Sequence, residues 1–140
     1  MLIGEYNYNI DLKGRLNFPA KLREDLGEKF ILSKNLVDNC LNAYSMEEWE
    51  KLVAKVEALP MAKGRNIKRH LFSSACEVIP DKQGRILIPQ ALRDYAHLSK
   101  EVMVIGVSNY CEVWDKDHWN ALCDSIESES LAEAVEELGI

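Results

Sequence analysis

Polar and apolar residues alternate from Glu5 to Ile10, with Tyr6, Tyr8 and Ile10 in phase, which predicts a strand. Asp11-Leu-Lys-Gly14 follows as a turn signal: a carboxylate to bond nearby amides and a glycine for φ > 0. Arg15 to Phe18 reads as the return strand. Pro19 opens a short helix over Ala20–Leu26, which Gly27 stops. Lys29–Ser33 and Cys40–Tyr44 are predicted as two further short strands. Ser45-Met-Glu-Glu48 has the spacing of a capping box, and the acids suit a helix start. The helix it opens runs to about Leu59, with Trp49, Leu52, Val53, Val56 and Leu59 at helical spacing.

The same order then recurs. Ala75–Ile79 is predicted as a strand, Asp81-Lys-Gln-Gly84 as a turn and Arg85–Ile88 as a strand. Pro89 opens a helix to about His97, Val102–Val107 and Cys111–Trp114 read as strands, and Asp115 caps a helix over Lys116–Ile126. Met61–Ser74 reads as a basic helix, and Leu131–Leu138 as a short acidic amphipathic one.

This recurrence is a repeat at an offset of 70. Asp11–Arg23 and Asp81–Arg93 share six of 13 residues: the Asp, Gly, Arg, Pro, Leu and Arg. Taken without a gap, the offset also aligns Val37 with Val107, Asn39 with Asn109, Trp49 with Trp119 and Leu52 with Leu122. Two homologous repeats are expected at 1–57 and 71–127, joined by a connector at 58–70 and followed by an acidic tail at 128–140. A lone half of this size has a marginal core. Two intertwined halves that cover each other's sheet edges make one pseudo-twofold domain.

With 47% hydrophobic residues the chain has material for a real core. No apolar run approaches a membrane span, and the N-terminus lacks the pattern of a secretory signal, so a cytoplasmic protein is expected. Cys40, Cys76, Cys111 and Cys123 show no metal-ligand spacing and are expected as buried, reduced thiols. His70, His97 and His118 stand isolated, and no nucleophile elbow, phosphate-binding glycine loop or H-E-x-x-H is present. No enzyme, metal or cofactor is expected.

The net charge of -6, taken alone, disfavours a nucleic-acid partner, but its distribution reverses that judgement. Glu112–Ile140 holds nine acids and one base, a net -8, whereas residues 1–111 hold 16 bases and 14 acids, a net +2. A local basic surface is compatible with this.

The two D-x-x-G-R turns, each followed by apolar-x-apolar-Pro-x-x-Leu-Arg, resemble the MraZ family of bacterial transcriptional regulators, itself similar to the AbrB class. The resemblance implies an α+β, mainly β fold: a double-repeat swapped-hairpin AbrB-like β-barrel with peripheral helices. It implies sequence-specific binding of double-stranded DNA at short direct repeats upstream of the chain's own division and cell wall operon. It further implies a homo-oligomer, a ring, associated with the nucleoid and not with membrane. The family's D-x-x-x-R motif falls on Asp11/Arg15 and Asp81/Arg85.

A narrow turn suits a major groove. Arg15 and Arg85 are candidates for bidentate contacts to guanine or for clamping phosphate, Lys13 and Lys82 for phosphate contacts, and Gly14 and Gly84 for close backbone approach. Asp11 and Asp81 would orient the arginines. The competing reading is that each Asp–Arg pair only steadies its turn, although exposed pairs contribute just about 0–1 kcal/mol. The second turn carries Lys82-Gln83 where the first has Leu12-Lys13, so the two need not contact DNA equivalently.

Arg23 and Arg93 read as structural or interface residues, and Trp49 and Trp119 as core. The bases of the connector, Lys63, Arg65, Lys68 and Arg69, read as a solvated face or as the partner of a neighbouring subunit's acidic surface. The alternative functions are an oligomeric protein-interaction scaffold or an antitoxin-like AbrB relative, which would carry a disordered toxin-wrapping tail.

Overall fold

The computed structural model describes residues 1–140. The first repeat forms β1 (Leu2–Asn9), β2 (Arg15–Asn17), α1 (Ala20–Leu26), β3 (Phe30–Lys34), β4 (Leu41–Ser45) and α2 (Met46–Glu57). Helix α3 (Met61–Phe72) follows. The second repeat forms β5 (Cys76–Val78), β6 (Arg85–Leu87), α4 (Gln90–Tyr95), β7 (Glu101–Ser108), β8 (Cys111–Asp115) and α5 (Lys116–Ser125), and α6 (Ser128–Leu138) follows it.

The helix ends follow their local chemistry. Ser45 Oγ accepts the amide of Glu48 at 3.2 Å to start α2, and Asp115 Oδ2 accepts that of His118 at 3.3 Å to start α5. Helix α1 stops at Gly27, with φ 92°. Helix α4 is shorter than expected and ends at Tyr95, because His97 takes a left-handed conformation with φ 53°. The amides of His97 and Leu98 then bond back to the carbonyls of Asp94 and Arg93 at 3.2 and 3.0 Å, and Leu98 packs against the core.

The strands form two antiparallel sheets, one of six in the order β1-β7-β8-β4-β3-β5 and one of two, β2-β6. The local hairpins expected from the sequence are therefore corrected. Only one bridge, Ile10 to Leu16, joins the arms of the first turn. Strand β2 pairs instead with β6, β1 with β7, and β5 with β3. The repeats exchange strands because each short β2 or β6 finds a full ladder only in the other half.

The register reveals the symmetry. In the small sheet Leu16 pairs with Ile86, and in the large sheet Asn42 pairs with Glu112. Each residue thus faces its own repeat equivalent, and a pseudo-twofold axis passes through both pairs. The strand order of the large sheet maps onto itself when the halves are exchanged.

The gap-free offset fails in one place. Phe30 pairs with Ser45 and Val102 with Asp115, so the equivalent of Phe30 in β3 is Val102 in β7, 72 residues on. Two residues are added between α4 and β7 and two are removed between β7 and β8. Val37 and Val107 are consequently not equivalent: Val37 lies exposed in a loop, whereas Val107 belongs to β7.

One cluster of 19 buried residues draws on both halves and both sheets, with Leu16 and Ile86, Phe18 and Ile88, and Leu22 and Leu92 as matched pairs. Burying each such side chain contributes about 1.5–3 kcal/mol, so neither half has a separate core to keep. Trp49 and Trp119 are only half-buried. They pin α2 and α5 to the sheet by packing on Tyr44 and Trp114, with ring centroids 5.8 and 5.7 Å apart.

Two further expectations need correction. Cys40 and Cys111 are buried, but Cys76 is half-buried and Cys123 is exposed on α5, since α5 turns that side away from the sheet. Burial pushes the Cys111 thiol up to about 12. His97 and His118 are far apart in sequence yet meet edge-to-face with ring centroids at 5.5 Å. No helix is long and apolar enough to cross a membrane.

Candidate nucleic-acid interface

Each D-x-x-G-R turn is organised by its aspartate. Asp11 Oδ1 accepts the backbone amides of Lys13 and Arg15, both at 2.9 Å, and Oδ2 accepts Arg15 Nε at 2.8 Å. Asp81 repeats this arrangement with the amides of Gln83 and Arg85, both at 2.9 Å, and Arg85 Nε at 2.9 Å. The amide of Arg15, helped by the Arg15 side chain and the Lys13 amide, holds the Asp11 carboxyl below its ordinary value. The amide of Arg85 does the same for Asp81, with its side chain and the Gln83 amide adding to it.

Because the aspartate occupies only Nε, the Nη atoms of each guanidinium bond to no protein group. The Asp–Arg pair thus steadies the turn and aims the arginine at once. A planar edge of N–H donors is left facing outward, with Arg15 and Arg85 keeping 40% and 35% of their side chains exposed.

The sheet β2-β6 places the two arginines on a common surface. Leu16 and Ile86 point inward, so Arg15 and Asn17 share the outer face with Arg85 and Leu87. Arg15 lies opposite Leu87 and Arg85 opposite Asn17, which sets the arginines diagonally at roughly 7–8 Å between backbones. The amide of Phe18 bonds to the Gly84 carbonyl and that of Ile88 to the Gly14 carbonyl, both at 2.9 Å, so the ladder ends at the two turns. The turns stand at opposite ends of the ribbon, roughly 13 Å apart at the usual strand rise. That is of the order of the major-groove width, about 12 Å.

Lys13 and Lys82 are exposed at the two tips. Leu12, in the position equivalent to Lys82, is fully exposed at 102%. The glycines have a different environment from the one anticipated. Gly14 and Gly84 do have positive φ, 87° and 80°, but both are buried and face their own chain. A Cβ on Gly14 would lie 2.7 Å from the Arg93 guanidinium, and one on Gly84 2.7 Å from that of Arg23.

Arg23 and Arg93 therefore brace the turn of the opposite repeat. Their Nε atoms donate to the carbonyls of Phe18 and Ile88 at 3.0 and 2.9 Å. This crossing does not follow from strand patterns, since it needs the exchanged β2-β6 pairing, and Leu87, apolar between Ile86 and Ile88, carries no mark of its outward placement, whereas Asn17 between Leu16 and Phe18 does. The one signal was the Leu-Arg pair kept after each proline in the repeat.

Helix α3 packs on α2 and β3, and none of its polar contacts reaches the turns. No group of three or more His, Cys, Asp or Glu residues gathers to hold a metal.

Comparison with known proteins finds the same repeat. A family model described as "MraZ protein, putative antitoxin-like" matches twice, over residues 1–68 and 71–139. A protein of Acetivibrio thermocellus named "Transcriptional regulator MraZ" is 53% identical over 144 residues, covering 100% of both chains. Proteins of the same name from Caldicellulosiruptor saccharolyticus and Alkaliphilus metalliredigens are 51% and 49% identical, again over 100% of each chain.

Proposed function

The chain belongs to the MraZ family, and from that premise we propose that it is a DNA-binding transcriptional regulator whose β2-β6 ribbon, with its two flanking turns, meets the major groove. The observation that carries the reading is the pair of aspartate-oriented arginines on one outer face, each with its Nη edge free. Such an edge matches the O6 and N7 acceptors of guanine or a phosphate. Lys13 and Lys82 add phosphate contacts at the tips, and Asp11 and Asp81 act through the arginines they orient. Gly14 and Gly84 serve the site by admitting the bracing arginines.

A ribbon with four bases neutralises few phosphates, so useful affinity calls for several copies bound side by side. Short direct repeats upstream of the chain's own division and cell wall operon suit this, because tandem sites run in one direction. They fit a head-to-tail assembly, in the limit a ring, better than a twofold dimer. The place of action is then the cytoplasm, at the nucleoid. A footprint on the DNA upstream of the gene tests the reading. Protection at regularly spaced short repeats is expected, and protection without sequence preference contradicts it.

The family description itself raises a second reading, an antitoxin-like protein. The tail that would wrap a toxin is the helix α6. Retention of a toxin partner by the chain, with no DNA affinity, would favour that reading.

A further inference from the structure

The C-terminal helix α6 is a helix without a seat. All its residues are exposed, and none of its side chains bonds to another element. Leu131, Val135 and Leu138 form an apolar stripe along one face, with 54%, 40% and 71% of their surface exposed. Glu129, Glu133, Glu136 and Glu137 have no cationic partner. An isolated helix of 11 residues is marginal in water, so this segment gains its stability from packing against something.

A complementary surface lies elsewhere on the chain. Between α2 and α3 runs a groove lined by Leu59, Met61, Gly64, Arg65, Lys68 and Arg69, with Glu57 as its single acid. Leu59 and Met61 expose apolar surface there, at 37% and 77%. Lys68 is paired with Glu57 at 3.1 Å, but Arg65 and Arg69 have no carboxylate partner. Helix α3 carries four bases and no acid, and α6 carries four unpaired acids and no base.

The repeat explains why the occupant is not the chain's own α6. Helix α6 stands where α3 stands in the first repeat, and α3 packs down on α2 and β3. The corresponding seat for α6, beside α5, carries Asp117 and Asp124 against the single Lys116, so it repels the four glutamates. Only two residues, Ile126 and Glu127, separate α5 from α6, too few to carry α6 across to a distant groove of its own chain.

We propose that α6 of one copy docks into the α2–α3 groove of a second copy, its apolar stripe on Leu59 and Met61 and its glutamates against Arg65 and Arg69. Donor and acceptor surfaces differ, so the contact is head-to-tail and leaves a free helix at one end and a free groove at the other. Repeated, it builds a ring or a filament. The inference rests on the multi-copy assembly in the functional reading and supplies the contact that this reading lacks.

The test is a charge exchange in the full chain, read by light scattering at micromolar concentration. The paired substitutions R65E/R69E, and separately E133R/E137R, should each reduce the assembled mass to that of one chain. All four together should restore assembly, because the charges are again opposite. All four positions are exposed, so each variant should still fold and melt in one cooperative transition, lowered at most by the lost assembly contact. Assembly untouched by either pair, or abolished by either pair and not restored by all four, overturns the docking proposal and leaves assembly itself standing. A wild-type chain that remains monomeric overturns both.

Discussion

Gly14 of the first repeat lies against the guanidinium of Arg93 of the second, so close that a Cβ on the glycine would stand 2.7 Å from the arginine's central carbon. The pseudo-twofold partner of this contact is Gly84 with Arg23. Each arginine enters beneath the turn of the opposite repeat while its Nε holds the carbonyl at the end of its own strand. The turn that presents Arg15 is therefore positioned by the repeat that presents Arg85, and the reverse.

Gly14→Ala should destabilise the fold by roughly 1–3 kcal/mol, since it forces a Cβ onto a backbone with φ 87° and into the Arg93 side chain. Arg93→Ala should cost a comparable amount by removing a charge-assisted hydrogen bond, about 1.5–3 kcal/mol. The double variant should lose less than the sum, because the clash disappears with the arginine. Chemical denaturation of the four proteins in this cycle gives the coupling; strict additivity would place the two residues apart.

Leu16→Ala should cost about 2–5 kcal/mol and weaken both repeats together. Leu16 is fully buried on the pseudo-twofold axis against Ile86, inside the one cluster that both halves share. Hydrogen exchange should show equal loss of protection in β3 and β7. Loss confined to the first repeat would reveal separate cores.

The turns should keep their geometry well into acid. The folded-state values of Asp11 and Asp81 lie below the ordinary 3.8, so their contribution is complete above that value. It is lost only as the pH falls through the lower folded values. In an NMR titration the Arg15 and Arg85 Nε–H signals should hold their positions from pH 7 to 4.5 and move below 3.8. Movement near neutral pH would assign the arginines another partner.

The sequence revealed much of this, and what it concealed has a physical cause. The repeat is read by comparing the sequence with itself, and the caps at Ser45 and Asp115 and the Gly27 stop depend on neighbours within a few residues; they stand where the sequence placed them, except that Glu48 bonds to Lys51 and leaves the capping box half made. The Asp11–Arg15 and Asp81–Arg85 pairs were visible for the same reason. Strand partnership was not, because alternation tells which face of a strand is buried and not which strand lies beside it. The β2-β6 exchange and the crossed arginines depend on that choice, and the outward Leu87 stands unmarked between Ile86 and Ile88. The end of α4 escaped because its left-handed residue is His97, where a glycine would have marked it. The two-residue slip of β7 was hidden by chance identities such as Val37 with Val107.

Arg15→Ala and Arg85→Ala should each weaken operator binding by about 1–3 kcal/mol per bidentate base pairing removed, and by more where several copies bind together. Melting should shift little, since both guanidinium groups are partly exposed and each backbone turn keeps its Asp–amide bonds. Binding titrations and melting curves on the same samples separate the two effects. Intact binding with a lowered melting temperature would assign the arginines to the fold alone.

The central claim is that the β2-β6 ribbon reads DNA through its two arginines. Fluorescence anisotropy with a duplex from upstream of the chain's own gene tests it most directly, comparing wild type with the Arg15→Ala/Arg85→Ala double variant at 50 and 200 mM salt. Wild type should bind and, with about four phosphates neutralised by one chain, lose on the order of a hundredfold in affinity across that range. The folded double variant should show no binding at either salt concentration. Wild-type affinity and salt dependence in the double variant would contradict the account.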